Sequence, residues 1–328
     1  MRQHRLALCE EHFLQWVPKQ VARAVEKYRM FSPEDRILVA VSGGKDSLTL
    51  WDVLLDLGYK ACGLYINLGI EGGYSDLSQA KVEAFAAQKA EAELQIVDVA
   101  RTYGAAIPEL VRRHRGRKAC SLCGMVKRHI MNQVAREGRY AAVATGHNLD
   151  DEVAVLFHNT LHWSVSYLAR QGPVLPDAPG LARKVKPLCR LRERETAAYA
   201  LVRGIDYVHD ECPHAVGATT LFYKDILNQL ENRSRGTKEL MYLSFLDAKE
   251  RYDLFRIERE QLEMQPCERC GQPTTAPGLC AFCRLWESEA AMRHEREGSV
   301  STLHMSDDVA RGSSAEVGMD LGEDDVEI

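Results

Sequence analysis

The chain has 328 residues, 45% hydrophobic and 27% charged. That globular balance excludes wholesale disorder and fits about two domains of ordinary size. No uncharged apolar run approaches the roughly 18 residues a membrane helix needs. The charged start MRQHRLALCEEHF has no apolar signal core, so the chain reads as cytoplasmic. Its net charge of -5 is unevenly spread: residues 304–328 hold eight acids and one Arg, or -7, which leaves about +2 for the rest.

In chain order, residues 13–31 have apolar positions at helical spacing and stop at the turn signal Ser32-Pro33. RILVAV (36–41) reads as a buried strand, SGGKDS (42–47) as a turn, and LTLWDVLLDLG as a helix ending at Gly. ACGLYINL (61–68), LQIVDV (94–99) and AAVATG (141–146) read as further strands, with helices over 76–91 and 151–161. This alternation predicts an α/β fold: a doubly wound parallel sheet with helices on both faces. Ligands in such sheets sit beyond the carboxyl ends of the strands, so the loops after Val41, Ile66 and Thr145 should converge on one cleft. Residues 193–262 read as helical apart from a short DYV strand near 206–208. The expected organisation is an N-terminal helix over 1–31, a catalytic domain over 32–215 and a helical extension over 216–264. A metal-binding module follows over 265–288, then an acidic, disordered tail over 289–328.

Between a strand and a helix, SGGKDS is an anion cradle. Gly43 and Gly44 let backbone N–H groups approach a phosphate, the helix N-terminus adds positive potential, and Lys45 adds a charge. It is not a Walker A loop, because Val39 and Asp46 stand where that motif needs Gly and Ser or Thr. The pattern resembles instead the PP-loop of ATP pyrophosphatases, which cleave ATP to AMP and pyrophosphate. In TGHNLDDE (145–152), Gly146 lets backbone pass close to a nucleotide. Asp150, Asp151 and Glu152 open a helix; each could simply cap it, or Asp151 could orient ATP, a Mg²⁺ or the reacting base.

Ten cysteines in a chain without a signal core imply metal or redox chemistry rather than a disulfide framework. Cys267, Cys270, Cys280 and Cys283 form two CxxC knuckles across a Pro/Gly-rich spacer, a donor set for tetrahedral Zn²⁺. Cys120 and Cys123 sit at a helix start, where thiol pKa values fall. Cys212, in DECPHA, is the third candidate for a [4Fe–4S] cluster with one open iron. A redox disulfide between Cys120 and Cys123, or a Zn site using His214, stays open as an alternative. Cys62 and Cys189 are isolated and read as buried apolar residues. Cys9 and His12 are half of a Cys/His zinc site with no CxxC before them; His4 is the other candidate donor, and a helical pair without metal is the alternative.

Residues 101–140 carry ten Lys/Arg against two acids, and 181–194 carry six against one. Such stripes beside candidate site cysteines are the footprint expected for a phosphate backbone.

Together, ALCEEHF, AVSGGKDSLTLWDVL, ACSLCG, ATGHNLDDE, ARQGPVLP, ECPHA and CERCG–CAFC resemble the TtuA-type tRNA thiolases, over residues 5 to about 288. The resemblance implies a tRNA 2-sulfurtransferase that adenylates the C2 oxygen of a uridine, 5-methyluridine 54, and replaces it with sulfur. It implies ATP binding by Ala40, Ser42, Gly43, Gly44, Lys45, Asp46, Ser47, Ile66, Gly146 and Asp151. It also implies a [4Fe–4S] cluster on Cys120, Cys123 and Cys212, catalytic roles for Lys127 and Asp151, and Mg²⁺ on the phosphates. The implied partners are tRNA, a ubiquitin-like carrier with a C-terminal thiocarboxylate, and a second copy of the chain in a homodimer. Two other readings stand beside it: a thiolase of wobble uridine 34 or cytidine 32, and a zinc-stapled nucleotide-binding or redox scaffold without catalysis.

Overall fold

The structure, a computed structural model, describes residues 6–114, 116–175, 178–215, 219–252, 254–255 and 264–289. The expected acidic tail beyond residue 289 and the candidate donor His4 lie outside them. The chain runs α1 (Glu10–Lys27), β1 (Arg36–Val41), α2 (Lys45–Asp56), β2 (Lys60–Asn67), α3 (Tyr74–Ala87), β3 (Glu93–Asp98), α4 (Val99–Tyr103), α5 (Ile107–Arg113) and α6 (Ala119–Glu137). It continues through β4 (Ala142–Thr145), α7 (Leu149–Leu161), α8 (Val165–Arg170), β5 (Val174–Leu175), β6 (Lys184–Val185), α9 (Glu193–Arg203), α10 (Thr219–Arg233), α11 (Thr237–Arg251), β7 (Gln265–Pro266) and β8 (Pro273–Thr274). Among the described residues, no helix is long and apolar enough to cross a membrane.

The sheet order is β3-β2-β1-β4-β6-β5. The first five strands are parallel, and β5 runs antiparallel to β6 on the edge. β1 shows why the sheet is covered on both faces. Ile37, Val39 and Val41 enter the larger core with residues of α1, α2 and α7. Leu38 points the other way, into a smaller cluster with Cys62, Leu64, Tyr140, Val143 and Ala135 of α6. An unbroken apolar run is what a strand buried on both faces requires. Cys189 is fully buried, and burial pushes its thiol up to about 12.

The chain divides into two compact units, the first ending near residue 262. Within the first, α10 and α11 pack on α7. The second holds the β7–β8 hairpin and a helix over 281–289.

The expected DYV strand does not form. Val208 N–H donates to the carbonyl of Gly43 at 2.9 Å. That acceptor lies in the turn beyond β1, so the segment makes one loop bond where a strand would need a ladder along a sheet edge.

Close packing fixes the geometry beneath the turn. The Trp51 indole is fully buried, and its N–H donates to the Ala61 carbonyl at 3.0 Å. A Cβ on Gly63 would sit 2.7 Å from that ring. Because the ring is tethered, Gly63→Ala is expected to lower stability by about 1–3 kcal/mol. A denaturant midpoint equal to the wild type's would contradict this packing.

Candidate nucleotide and cysteine site

β1 ends at Val41, and the chain turns sharply into α2. Gly43 takes φ +79°, and a Cβ there would lie 2.8 Å from the Ser78 carbonyl oxygen, so both conformation and space demand glycine. Ser47 holds the turn closed: its Oγ accepts from the Ser42 N–H at 3.1 Å and donates to the Gly44 carbonyl at 3.0 Å. Lys45 stands at the first position of α2, and Ala40 and Ile66 lie near the carboxyl ends of β1 and β2.

The loop after β4 packs onto this turn. A Cβ on Gly146 would lie 2.9 Å from the Ser47 nitrogen and 3.0 Å from the Asp46 carbonyl carbon. The close approach that Gly146 serves is therefore to the backbone of α2, where sequence reasoning placed a nucleotide.

The three acids of α7 have separate fates. Asp150 is buried, pairs with Lys238 and accepts the Glu193 N–H at 2.9 Å. Glu152 is buried, pairs with Lys186 at 2.7 Å and accepts from the Tyr242 hydroxyl at 3.1 Å. Asp151 does two things. One oxygen closes the helix cap by accepting the Asn148 N–H at 3.0 Å, and the other pairs with Lys224 Nζ at 2.5 Å. Capping and site placement thus coexist in one carboxylate.

These groups form a chain of alternating charge. Lys45 Nζ contacts Asp46 and Glu193, each at 2.9 Å, and Lys224 Nζ contacts Glu193 at 3.1 Å as well as Asp151. Asp46 also accepts from Thr196 Oγ1 and from Asn148 Nδ2. Burial raises carboxyl pKa values throughout. In Asp151 and Glu193 the nearby Lys224, with His147 or Lys45, outweighs burial and holds them low. In Asp46 burial wins over Lys45 and Thr196, and the carboxyl is pushed up. Burial lowers Lys45, but Asp46 and Glu193 more than offset it, and its pKa rises.

The cysteines at the start of α6 meet the segment after α9. Cys120 Sγ lies 3.5 Å from the carbonyl oxygen of His214, in the short turn Pro213–Ala215 that follows Cys212. Tyr74, at the start of α3, ties this mouth to the turn. Burial chiefly raises its phenol, helped by Cys212 and Asp210 and opposed by Lys127. Four residues on, Ser78 is the residue against which Gly43 packs. Lys127 also acts on His147, whose pKa burial lowers and which feels Asp151. Lys127 thus lies within the electrostatic reach of both the cysteine mouth and the acid end of α7. No disulfide joins Cys120 to Cys123. Among the described residues, these cysteines and His214 do not gather within the 4.8 Å that one shared ion would need. A cluster takes one thiolate per iron, so its cysteines need not share the spacing that a single ion demands.

Residues 15–216 match the PP-loop domain family. The chain is 52% identical over 289 residues to a tRNA-5-methyluridine(54) 2-sulfurtransferase of Thermus thermophilus, covering 88% of each chain. It is 44% identical over 285 residues to the enzyme of the same name from Pyrococcus horikoshii, covering 86% and 88%. The chain belongs to the tRNA 2-sulfurtransferase family. Among solved structures, it shares its fold with the U34-tRNA thiolase NcsA of Methanococcus maripaludis, determined with its [4Fe–4S] cluster: TM-score 0.72, 23% identity, 88% of this chain and 91% of that one.

In this 2-sulfurtransferase family member, the second unit has the geometry of a metal knuckle. All four sulfurs of Cys267, Cys270, Cys280 and Cys283 lie within 4.8 Å of one another, with Cys270 and Cys280 at 3.8 Å. A tetrahedron with Zn–S bonds of about 2.3 Å has edges of about 3.8 Å. The Cys280 N–H points at Cys267 Sγ at 3.2 Å, and the Cys283 N–H at Cys280 Sγ at 3.4 Å. At the other end, Cys9 precedes α1 and its Sγ meets His12 Nδ1 at 2.9 Å. Among the described residues no further donor completes a set of three there.

Glu193, Thr196 and Lys224 escaped sequence reasoning. Glu193 had one signal, as the single acid among the six bases of 181–194. Lys224 lies on a helix with no motif at all.

The low pKa of Asp151 carries a pH signature. A depressed carboxyl contributes stability that is present above its unfolded value of 3.8 and is lost as pH falls through its lower folded value. Asp151→Asn should therefore be less stable than wild type at neutral pH, with the difference shrinking towards pH 2. A difference independent of pH, read by denaturant titration, would contradict the assignment.

Proposed function

We propose that the chain thiolates tRNA at the expense of ATP, with 5-methyluridine 54 as target. The observation that carries the reading is the junction of two chemistries: a phosphate cradle built on Gly43, Gly44 and Lys45, and candidate cluster cysteines on a segment that bonds to it, with Val208 donating to the Gly43 carbonyl and Cys120 meeting the His214 carbonyl just after Cys212.

Uracil C2 is a poor electrophile. The chemistry that fits starts with attack of the C2 oxygen on the α-phosphorus of ATP, releasing pyrophosphate. Hydrosulfide then forms a bond to C2 as the C2–O bond breaks, AMP carries the oxygen away, and a proton is released. Backbone N–H groups of residues 43–47 and the Lys45 ammonium offset charge on the departing pyrophosphate. Mg²⁺ would neutralise the remaining phosphate charge, and the Asp151 oxygen that pairs with Lys224 is the one its helix cap leaves available to it. Lys127 would supply a positive charge to the adenylated base; its charge is felt by Tyr74 and by His147. Cys120, Cys123 and Cys212 would hold a [4Fe–4S] cluster, which would supply an iron coordination position for the incoming sulfur. The sulfur fits delivery by a ubiquitin-like carrier with a terminal thiocarboxylate.

The basic stretches 101–140 and 181–194 suit the tRNA backbone, and a base in a folded loop must be exposed before it reaches the cleft. Zn²⁺ suits the Cys267–Cys283 tetrad, whose four protein ligands leave no position for catalysis. Cys9 and His12 suit half of a second zinc site. A homodimer in the cytoplasm completes the reading. Position 54 is favoured over the wobble base because relatives at 40–52% identity carry the position-54 name, whereas those named for cytoplasmic tRNA 2-thiolation reach 31%.

Nucleoside mass spectrometry of tRNA from a deletion strain tests this. Loss of 2-thio-5-methyluridine, restored by the wild-type gene and not by Cys212→Ala, is expected. Loss of a different thionucleoside, or full restoration by Cys212→Ala, would overturn it. Substituting Cys267 by Ser should remove about one zinc per chain in elemental analysis, as four thiolates share one ion.

A further inference from the structure

This inference rests on the reading of the glycine turn as the seat of ATP. Glu193 takes a different ammonium on each of its carboxylate oxygens: Lys45 on Oε1 at 2.9 Å and Lys224 on Oε2 at 3.1 Å. Lys45 comes from the turn itself, whereas Lys224 comes from α10. Two ammoniums of unrelated elements are thus aimed at one point, and a two-oxygen anion fills it. Without that anion each ammonium keeps one acid, Lys45 with Asp46 and Lys224 with Asp151, and each has a position open to another acceptor. A phosphate group offers the same pattern, with oxygens that each accept from a separate cation.

The bridging carboxylate is also the most exposed of the three acids. The side chain of Glu193 is 38% exposed, against 23% for Asp46 and 24% for Asp151. Its backbone is pinned, because the Glu193 N–H donates to Asp150. The side chain can turn out to solvent while α9 stays in place. Asp46 and Asp151 have no such freedom: one is held by Thr196 and Asn148, the other by its own helix cap.

We propose that Lys224 is a second phosphate-binding ammonium of the nucleotide site, acting on the pyrophosphate portion of ATP, and that Glu193 fills that phosphate's position until nucleotide arrives. ATP displaces the Glu193 carboxylate, and Lys45 and Lys224 exchange one anion for another.

Equilibrium binding of ATP and of AMP to the purified full-length chain, with Mg²⁺ and without tRNA or a sulfur source, tests this. Wild type must bind ATP; if it does not, the nucleotide reading itself fails, separately from this inference. Lys224→Met should weaken ATP about tenfold or more and leave AMP unchanged. Lys224→Arg, which keeps the charge, should retain most of the ATP affinity. Glu193→Gln should bind ATP more tightly than wild type, because a neutral amide competes poorly for two ammoniums. Unchanged ATP binding in Lys224→Met, or equal losses for ATP and AMP, would overturn the role of Lys224. Weaker ATP binding in Glu193→Gln would overturn the placeholder. Should Lys224→Met fail to fold with Asp151 left unpaired, Lys224→Gln, whose amide still donates to Asp151 but carries no charge, takes its place with the same expected and overturning outcomes.

Discussion

At the carboxyl ends of β1 and β4, two backbones approach more closely than any side chain allows. Gly146 leaves no room for a Cβ against the nitrogen of Ser47, and Gly43 leaves none against Ser78. These two contacts set the site. The first locks the loop after β4 onto the opening turn of α2, which delivers Asn148 to Asp46, the acid that Lys45 also contacts. The second fixes the start of α3, and with it Tyr74, beside the cysteine mouth. β1 and β4 are neighbours in the parallel sheet, so their ends must open on one side.

Charge then follows from burial. Three carboxylates lie in one site beside two lysines, and their environments push them apart. Asp151 and Glu193 are held ionised by Lys224, while Asp46 is raised by its burial. Asp150 and Glu152 are drawn away to Lys238 and Lys186 and serve the packing of α7 on its neighbours. Polar groups this deep persist because each has a partner.

Much of this was legible in the residues. The run RILVAV announced a strand buried on both faces, and the turn SGGKDS had to sit between a strand and a helix to be useful. The tetrad Cys267–Cys283 was readable because its spacing is set by one ion and short knuckles. What escaped notice has a common cause. Glu193 and Lys224 act through positions that only tertiary packing brings to Lys45, 148 residues before Glu193, and neither belongs to a periodic or spaced motif. Gly146 was seen as a close-approach glycine, but sequence could not say what approaches. The DYV segment has strand-forming residues, yet its partner is a loop carbonyl, and propensity carries no information about partners.

The account turns on three thiols gathering beside the phosphate cradle while the other four serve a separate ion. Anomalous scattering at the iron and zinc edges, from crystals grown after anaerobic reconstitution with iron and sulfide, addresses that directly. Iron density is expected beside Cys120, Cys123 and Cys212, on the side that opens to Gly43 and Lys45, with zinc density and no iron at the Cys267–Cys283 tetrad. Iron density at the tetrad, or none beside Cys212, would contradict it.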